Sequence, residues 1–374
     1  MDLEFTEEQE MLRNLVRQVC SDHAPLTVVR ELEDDPVGYQ VDLWKQLANL
    51  DLIGLLIPTE YGGSGMSLIE GAIVYEEFGR ALAPLPHFVS AVLSAGAIAR
   101  GGTDEQKQNW LPSLASGDSI FSVAWLEPDN SFRPSGVQMR AIPNTTGTEF
   151  TLRGVKRHVQ FARAADHLVV LARCGDDLTD LGLFVVPTSA PGLMLEQQFS
   201  IASDPQFKAT FEDVTVPASH RLPGGWDAWE ATMFDAVVLA AAQAIGGAQY
   251  SLDITVQYSK DRVQFDKPLG AFQALAHYMA DAKTTVDGGQ VLVWEAAWAR
   301  ANGRPEGAKL AAMAKLFCCQ TFRDVTAMAQ QIHGGVGFTL EYDIQLYFRR
   351  AKALQLNWWD TRELEERIAT AVLD

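Results

Sequence analysis

Positive charge is scarce in this sequence. Its 374 residues hold 30 lysines and arginines against 48 aspartates and glutamates, a formal net charge of −18. A nucleic-acid binder presents a basic face, so this balance excludes general nucleic-acid binding. It also sets a condition. A phosphate-bearing ligand must be met by local cations or backbone N–H donors able to overcome the overall field. Cysteine is scarce as well: Cys20, Cys174, Cys318 and Cys319 are the only four. None forms C-x-x-C, and the adjacent pair makes a poor metal clip, so no metal site is expected and all four read as reduced packing residues. The opening MDLEFTEEQE is acidic and lacks an apolar core, which argues against a secretory signal. No apolar run is long enough to cross a bilayer: the longest, 236–248, includes Gln243 and two glycines. A cytoplasmic protein without a membrane span is expected.

What is present is an ordinary globular composition, 47% hydrophobic and 21% charged, at a length that implies two or three domains at roughly 100–200 residues each. Periodicity divides the chain in three. Residues 1–119 read as helical. Thr6-Glu7-Glu8-Gln9 has the form of a capping box, and Met11, Leu12, Leu15, Val16 and Val19 follow at helical spacing. Further helices are expected near 43–50, 68–82, 89–100 and 103–115, with a glycine-rich loop at 58–65. Residues 120–225 alternate or run in short β-branched stretches, as in 167–172, 181–187 and 207–211, and predict a small β-sandwich or barrel. Residues 226–374 return to helical spacing over 236–258, 272–300, 305–332 and 360 onward. Pro268, Gly270, Gly303 and Pro305 break between them, and the pattern predicts a four-helix bundle.

Several motifs, in order, resemble those of the acyl-CoA dehydrogenase family. Glu60-Tyr61-Gly62-Gly63, Glu76-Glu77-Phe78-Gly79-Arg80 and Glu105-Gln106-Lys107 leading to Leu111-Pro112-Ser113-Leu114-Ala115-Ser116-Gly117 are similar to its first domain. Arg262-Val263-Gln264-Phe265 through Leu269 to Gln273 is similar to its R-x-x-F-G-x-x-L-x-x-x-Q, and Gln331-Ile332-His333-Gly334-Gly335-Val336-Gly337-Phe338 to its Q-x-x-G-G-x-G-F. The resemblance covers nearly the whole chain. It implies an α+β multi-domain fold: an N-terminal helical domain, a central β-domain and a C-terminal four-helix bundle. FAD would lie between the last two, and its adenine end would also touch a neighbouring subunit. The implied reaction is α,β-dehydrogenation of an acyl-CoA thioester in fatty acid or steroid degradation. The implied partners are an electron-transfer acceptor and other subunits, in a homo- or hetero-tetramer built as a dimer of dimers.

On this resemblance Arg262, Gln264, Phe265, Gln331, Gly334 and Gly335 are the cofactor-binding candidates. The guanidinium is a fixed, planar donor suited to a pyrophosphate. A glutamine amide both donates and accepts, and glycines allow close backbone approach; they serve equally as a helix C-cap. Phe265 would pack on the cofactor or in the core. His333, beside a glycine turn, has a structural reading ahead of a catalytic one.

The site where flavin meets substrate departs from the family. The reaction takes a proton from Cα and a hydride from Cβ, and a positioned carboxylate must accept the proton. In most members it is the glutamate of Y-E-G-T after R-x-A-K. Here Arg349-Arg350-Ala351-Lys352 leads to Asn357-Trp358-Trp359-Asp360, so Trp358 takes the base position. The tryptophan pair could back a cofactor or serve in core or interface. Other members carry the base on the first bundle helix, where this chain has Ala236. Asp235 lies next to it, about 100° round the helix, and Asp360 falls on the threonine; these are the weak candidates for a base. The family's T-E-P-G-A-G-S-D loop reads Leu126-Glu127-Pro128-Asp129-Asn130-Ser131-Phe132-Arg133, its W-I-T-N reads His158-Val159-Gln160-Phe161, Asp266 replaces a glycine and Arg362 a glutamine. The pattern resembles the base-less subunits of heteromeric steroid side-chain acyl-CoA dehydrogenases, whose partner supplies the base. The alternatives are a self-sufficient dehydrogenase using an aspartate, and a flavin monooxygenase or a flavin-free structural subunit on the same fold.

Overall fold

The computed structural model describes residues 5–129 and 131–373; Asn130, within the departing loop, lies outside them. In chain order the helices of the first segment are α1 (Glu7–His23), α2 (Leu26–Glu31), α3 (Val41–Asn49), α4 (Leu68–Ala81), a π-helical stretch (Phe88–Ser94) running into α5 (Ala95–Gly101), and α6 (Asp104–Ala115). The strands follow: β1 (Phe121–Ala124), β2 (Arg140–Pro143), β3 (Glu149–Gln160), β4 (His167–Arg173), β5 (Leu181–Pro187), β6 (Leu193–Gln198), β7 (Gln206–Pro217) and β8 (Arg221–Leu222). Then come α7 (Gly225–Asp261), a hairpin of β9 (Val263–Gln264) and β10 (Lys267–Pro268), α8 (Gln273–Ala301), α9 (Gly307–His333), α10 (Ile344–Leu356) and α11 (Thr361–Leu373). The fold class is the expected one.

Packing groups the chain into two units. One combines residues 1–29, 67–83 and 237–374; the other combines 30–66 and 84–236. In the second unit, eight strands form one mixed sheet in the order β6-β7-β3-β2-β4-β5-β8, with β1 parallel to β4. Strands β4 and β5 are almost wholly buried, as their unbroken apolar runs require. Register shifts in the β3–β7 pair fall between Leu152 and Gly154 and between Lys156 and Val159; at the second, His158 has φ +56°. Such a bulge re-aims side chains.

The first unit shows how local signals set the helices. Thr6 and Gln9 exchange both bonds of a capping box at α1, and Ser67 and Glu70 do so at α4. Gln9 then donates to Glu70 at 2.9 Å, joining the two helix starts. Helix α4 is buried over most of its length. It crosses α7 closely enough that a Cβ on Gly79 would meet the carbonyl oxygen of Gln243 at 1.9 Å, and one on Gly246 that of Glu76 at 1.9 Å. Backbone cannot yield as a side chain does. Gly246→Ala is therefore expected to lower unfolding stability by about 2 kcal/mol, read as a fall in denaturation midpoint at unchanged m-value; an unchanged midpoint would show that the crossing has slack.

Helix α7 is the one described helix long and apolar enough to cross a membrane, a length exceeding the apolar run read from sequence. In the structure 78% of its most apolar window is buried by protein, which accounts for that hydropathy as core packing.

Candidate functional site

The end of α7 passes directly into an exposed hairpin. Arg262 N–H still donates to Tyr258 O at 2.9 Å, and Leu269 N–H returns to Arg262 O at 2.9 Å. Lys267 pairs with Gln264 across the two short strands. The turn residues Phe265 and Asp266 have φ of +54° and +64°. A two-residue hairpin turn with both residues left-handed favours Asn-Gly or Asp-Gly. That explains why a glycine is wanted where Asp266 stands, and why aspartate, which tolerates this region, can replace it. Phe265 is 85% exposed and Val263 53%. Phe265 meets Phe272 edge-on at 6.1 Å, and Lys267 Nζ lies 4.2 Å from the Phe272 ring. Arg262, Gln264 and Phe265 thus project from the surface of this unit, and none is in its core.

A glycine turn closes α9. Gly334 has φ +65° and ψ −141°, a conformation left to glycine, and the space a Cβ would enter above Gly334 and Gly335 is open. Gln331 and Gly334 are exposed. His333 is buried between them, and its Nδ1–H donates to Ala329 O at 2.8 Å. Burial lowers its affinity for a proton. Its ring stacks on Tyr258 at 4.2 Å and an interplanar angle of 20°. Tyr258 Oη–H points to His333 O at 3.4 Å. His333 is thereby a packing residue with a definite task. It fastens the last turn of α7, from which the hairpin springs, to the glycine turn, so the structure brings the Arg262 and Gln331 groups into one region.

The two base positions look different. Trp358 and Trp359, between α10 and α11, are buried, 6% and 1% exposed, with φ of +55° and +68°. Such backbone costs on the order of 1–2 kcal/mol for an ordinary residue. The Arg367 guanidinium lies 3.7 Å from the centre of the Trp359 ring, a cation–π contact that holds the strained segment. Asp360 accepts the Glu363 N–H at 2.9 Å, and its own carbonyl accepts Leu364 N–H at 3.0 Å. It is the N-cap of α11. Arg362 is exposed and pairs with Glu366 at 3.2 Å. In the other unit Ala236 is fully buried, and Asp235 is ion-paired with Arg100. Both aspartates offered from the sequence as bases have structural partners.

A buried ion pair with little trace in the sequence lies beside Leu126. Lys156, fully buried, donates to Glu127 Oε1 at 2.8 Å and to Trp125 O at 3.2 Å. Glu127 also accepts the backbone N–H groups of Gln138 and Met139 at 3.0 Å. The only sequence signal was a charged residue within an alternating strand.

Family models cover this architecture segment by segment. The acyl-CoA dehydrogenase N-terminal domain matches residues 6–118, the middle domain 122–214 and the C-terminal domain 224–357. The chain belongs to the acyl-CoA dehydrogenase family. It is an oxidoreductase acting on acyl-CoA, and acyl-CoA dehydrogenases typically bind FAD. It is 33% identical over 369 residues, 95% of each chain, to the probable acyl-CoA dehydrogenase YngJ of Bacillus subtilis. Its structure is similar to that in the ChsE4-ChsE5 complex from Mycobacterium tuberculosis, with TM-score 0.91, 26% identity and coverage of 100% and 99%. It is also similar to a variant of the Tcur3481-Tcur3483 steroid ACAD, with TM-score 0.87, 32% identity and 98% of both chains.

Proposed function

We propose that the chain is a subunit of a heteromeric acyl-CoA dehydrogenase, holding part of an FAD site while a different subunit supplies the base. The observation that carries this is the chemistry at the two base positions. An indole and a methyl group stand there, both buried, and neither accepts a proton from carbon at neutral pH. The carboxylates next to them in sequence, Asp235 and Asp360, are engaged by Arg100 and by a helix start. The two similar structures named as two-component assemblies, ChsE4-ChsE5 and Tcur3481-Tcur3483, favour assembly with a second kind of subunit.

The exposed group fits FAD. Arg262, Gln264 and Gln331 offer side-chain donors, and the turn at Gly334-Gly335 offers backbone without a Cβ in the way. In a chain of −18 this is the local positive, donor-rich surface a diphosphate needs. FAD, when bound, supplies the hydride acceptor. The chain's own residues orient the diphosphate, and Phe265, left exposed on its turn, would cover an aromatic group of the cofactor or of an adjoining subunit. A large acyl group such as a steroid is favoured by the likeness to a steroid dehydrogenase. An electron-transfer acceptor completes the cycle.

The visible spectrum tests the proposal. The chain purified alone is expected to be colourless or poorly loaded. Co-expressed with a glutamate-bearing relative from its gene neighbourhood, it is expected to yield a yellow complex that bleaches on adding acyl-CoA. Arg262→Ala in that complex is expected to weaken FAD retention about tenfold or more, as loss of a charge-assisted contact does. A yellow lone chain that acyl-CoA bleaches would overturn the heteromeric reading.

A further inference from the structure

Within the first unit, α1, α4, α7 and α8 line a cavity of about 110 Å³. Its charged lining is Arg13, Arg17 and Arg80 against Glu76 and Glu77, beside the amide of Gln290. A guanidinium has five N–H donors, and these three have donors to spare. Arg17 spends two on Glu77, at 2.9 and 2.7 Å. Arg13 spends one nitrogen on Glu10 and Arg80 one on Asp253. Glu76, in contrast, makes no ion pair among the described residues. Its buried carboxylate accepts from Gln290 Nε2 at 3.1 Å and Trp294 Nε1 at 3.0 Å. Burial pushes its carboxyl up to about 7.

The groups around Glu76 are few. From α1, Arg13 favours the ionised form; from α4, its neighbour Glu77 opposes it. Arg80 and Asp253 pair with each other. Gln249 on α7 and Gln290 and Trp294 on α8 are neutral. On α9, Cys318 is held protonated by burial, and Lys315 donates to Leu354 O at 2.8 Å. With Glu76 protonated, the lining carries three cations and one carboxylate. Planar guanidinium forks match oxyanions. The volume suits a group of a few heavy atoms.

We propose that this cavity binds a small oxyanion of the sulfate or phosphate type, held by Arg13, Arg17 and Arg80 and taken up together with a proton on Glu76. The site is independent of the flavin reading. Sulfate is the probe, since its charge is constant across neutral pH. Calorimetric titration at constant ionic strength is expected to show saturable binding about tenfold weaker near pH 8 than near pH 6, the change that one linked proton imposes. Glu76→Gln puts a neutral amide of the same shape in that place and should hold the affinity near its low-pH value at both. Arg13→Gln gives up a surface pair with Glu10 and a cation–π contact with Phe5. It should weaken sulfate at least tenfold with little change in the circular-dichroism melt. Should that variant fail to fold, Arg13→Lys keeps the charge, loses the fork and should still weaken binding. Absence of saturable binding, equal affinity at the two pH values, pH dependence surviving Glu76→Gln, or indifference to the Arg13 variants would each overturn the proposal.

Discussion

Given excess FAD, acyl-CoA and an artificial electron acceptor, the chain alone is expected to turn over at least about 10²–10⁴-fold more slowly than an assembly containing a base-bearing partner. That is the range a positioned general base contributes. Replacing either aspartate by asparagine should change the residual rate by less than about twofold. The two substitutions are nearly isosteric, which makes them informative. Asparagine caps a helix as well as aspartate, so Asp360→Asn leaves the start of α11 intact. Asp235→Asn gives up a partly exposed ion pair with Arg100, worth about 1 kcal/mol or less. A rate collapse in either variant with an unchanged melting curve would make that residue the base and the chain self-sufficient. An aspartate in place of glutamate reaches one methylene less, and about 1 Å of misplacement costs on the order of a hundredfold. A self-sufficient enzyme would therefore show a slow but aspartate-dependent rate, which the paired measurement separates from a base-less subunit.

The scaffold was legible from sequence wherever local chemistry decides structure. The capping box at Thr6 marks the start of α1 within a residue, the apolar spacing near 68–82 marks α4, and the β-branched runs mark β4 and β5. Helix α10 escaped because Arg349, Arg350 and Lys352 interrupt its apolar face of Ile344, Leu346, Tyr347 and Ala351. The β9–β10 hairpin escaped because six exposed residues read as a linker. At the candidate site the split follows range. The capping role of Asp360 was readable, since Asp360 with Glu363 three residues on is a helix-start pattern. The Arg100–Asp235 pair joins residues 135 apart, and the Tyr258–His333 stack joins residues 75 apart. No spacing rule reaches such contacts. Glu76 lies in a family motif, yet its burial and its cavity come only from the crossing of four helices.

Truncating the buried acid of the sheet unit is expected to be the most damaging single change to stability. Glu127→Ala should cost about 3–5 kcal/mol, the penalty for leaving a buried charge without its partner. Four bonds converge on that carboxylate and its lysine, from Lys156, Gln138 and Met139 and to Trp125 O. They tie the segment bearing Leu126 to β3. Desolvation already pushes the Lys156 ammonium down to about 8 against the attraction of Glu127. Without Glu127 that attraction disappears and the lysine falls further. A lysine whose folded pKa is depressed binds fewer protons folded than unfolded, so stability rises with pH up to its unfolded value. Wild type gains in the same way above about pH 8, so the deficit of Glu127→Ala should narrow as pH rises toward about 8 and stay level from there to about pH 10. The double variant Glu127→Met with Lys156→Met removes both charges and should recover most of the loss, as buried pairs replaced by apolar residues do. Urea denaturation of wild type and the two variants at about pH 6 and about pH 8 checks this. A double variant no more stable than Glu127→Ala would mean that the hydrogen bonds to Gln138 and Met139, and not the unpaired ammonium, set the cost.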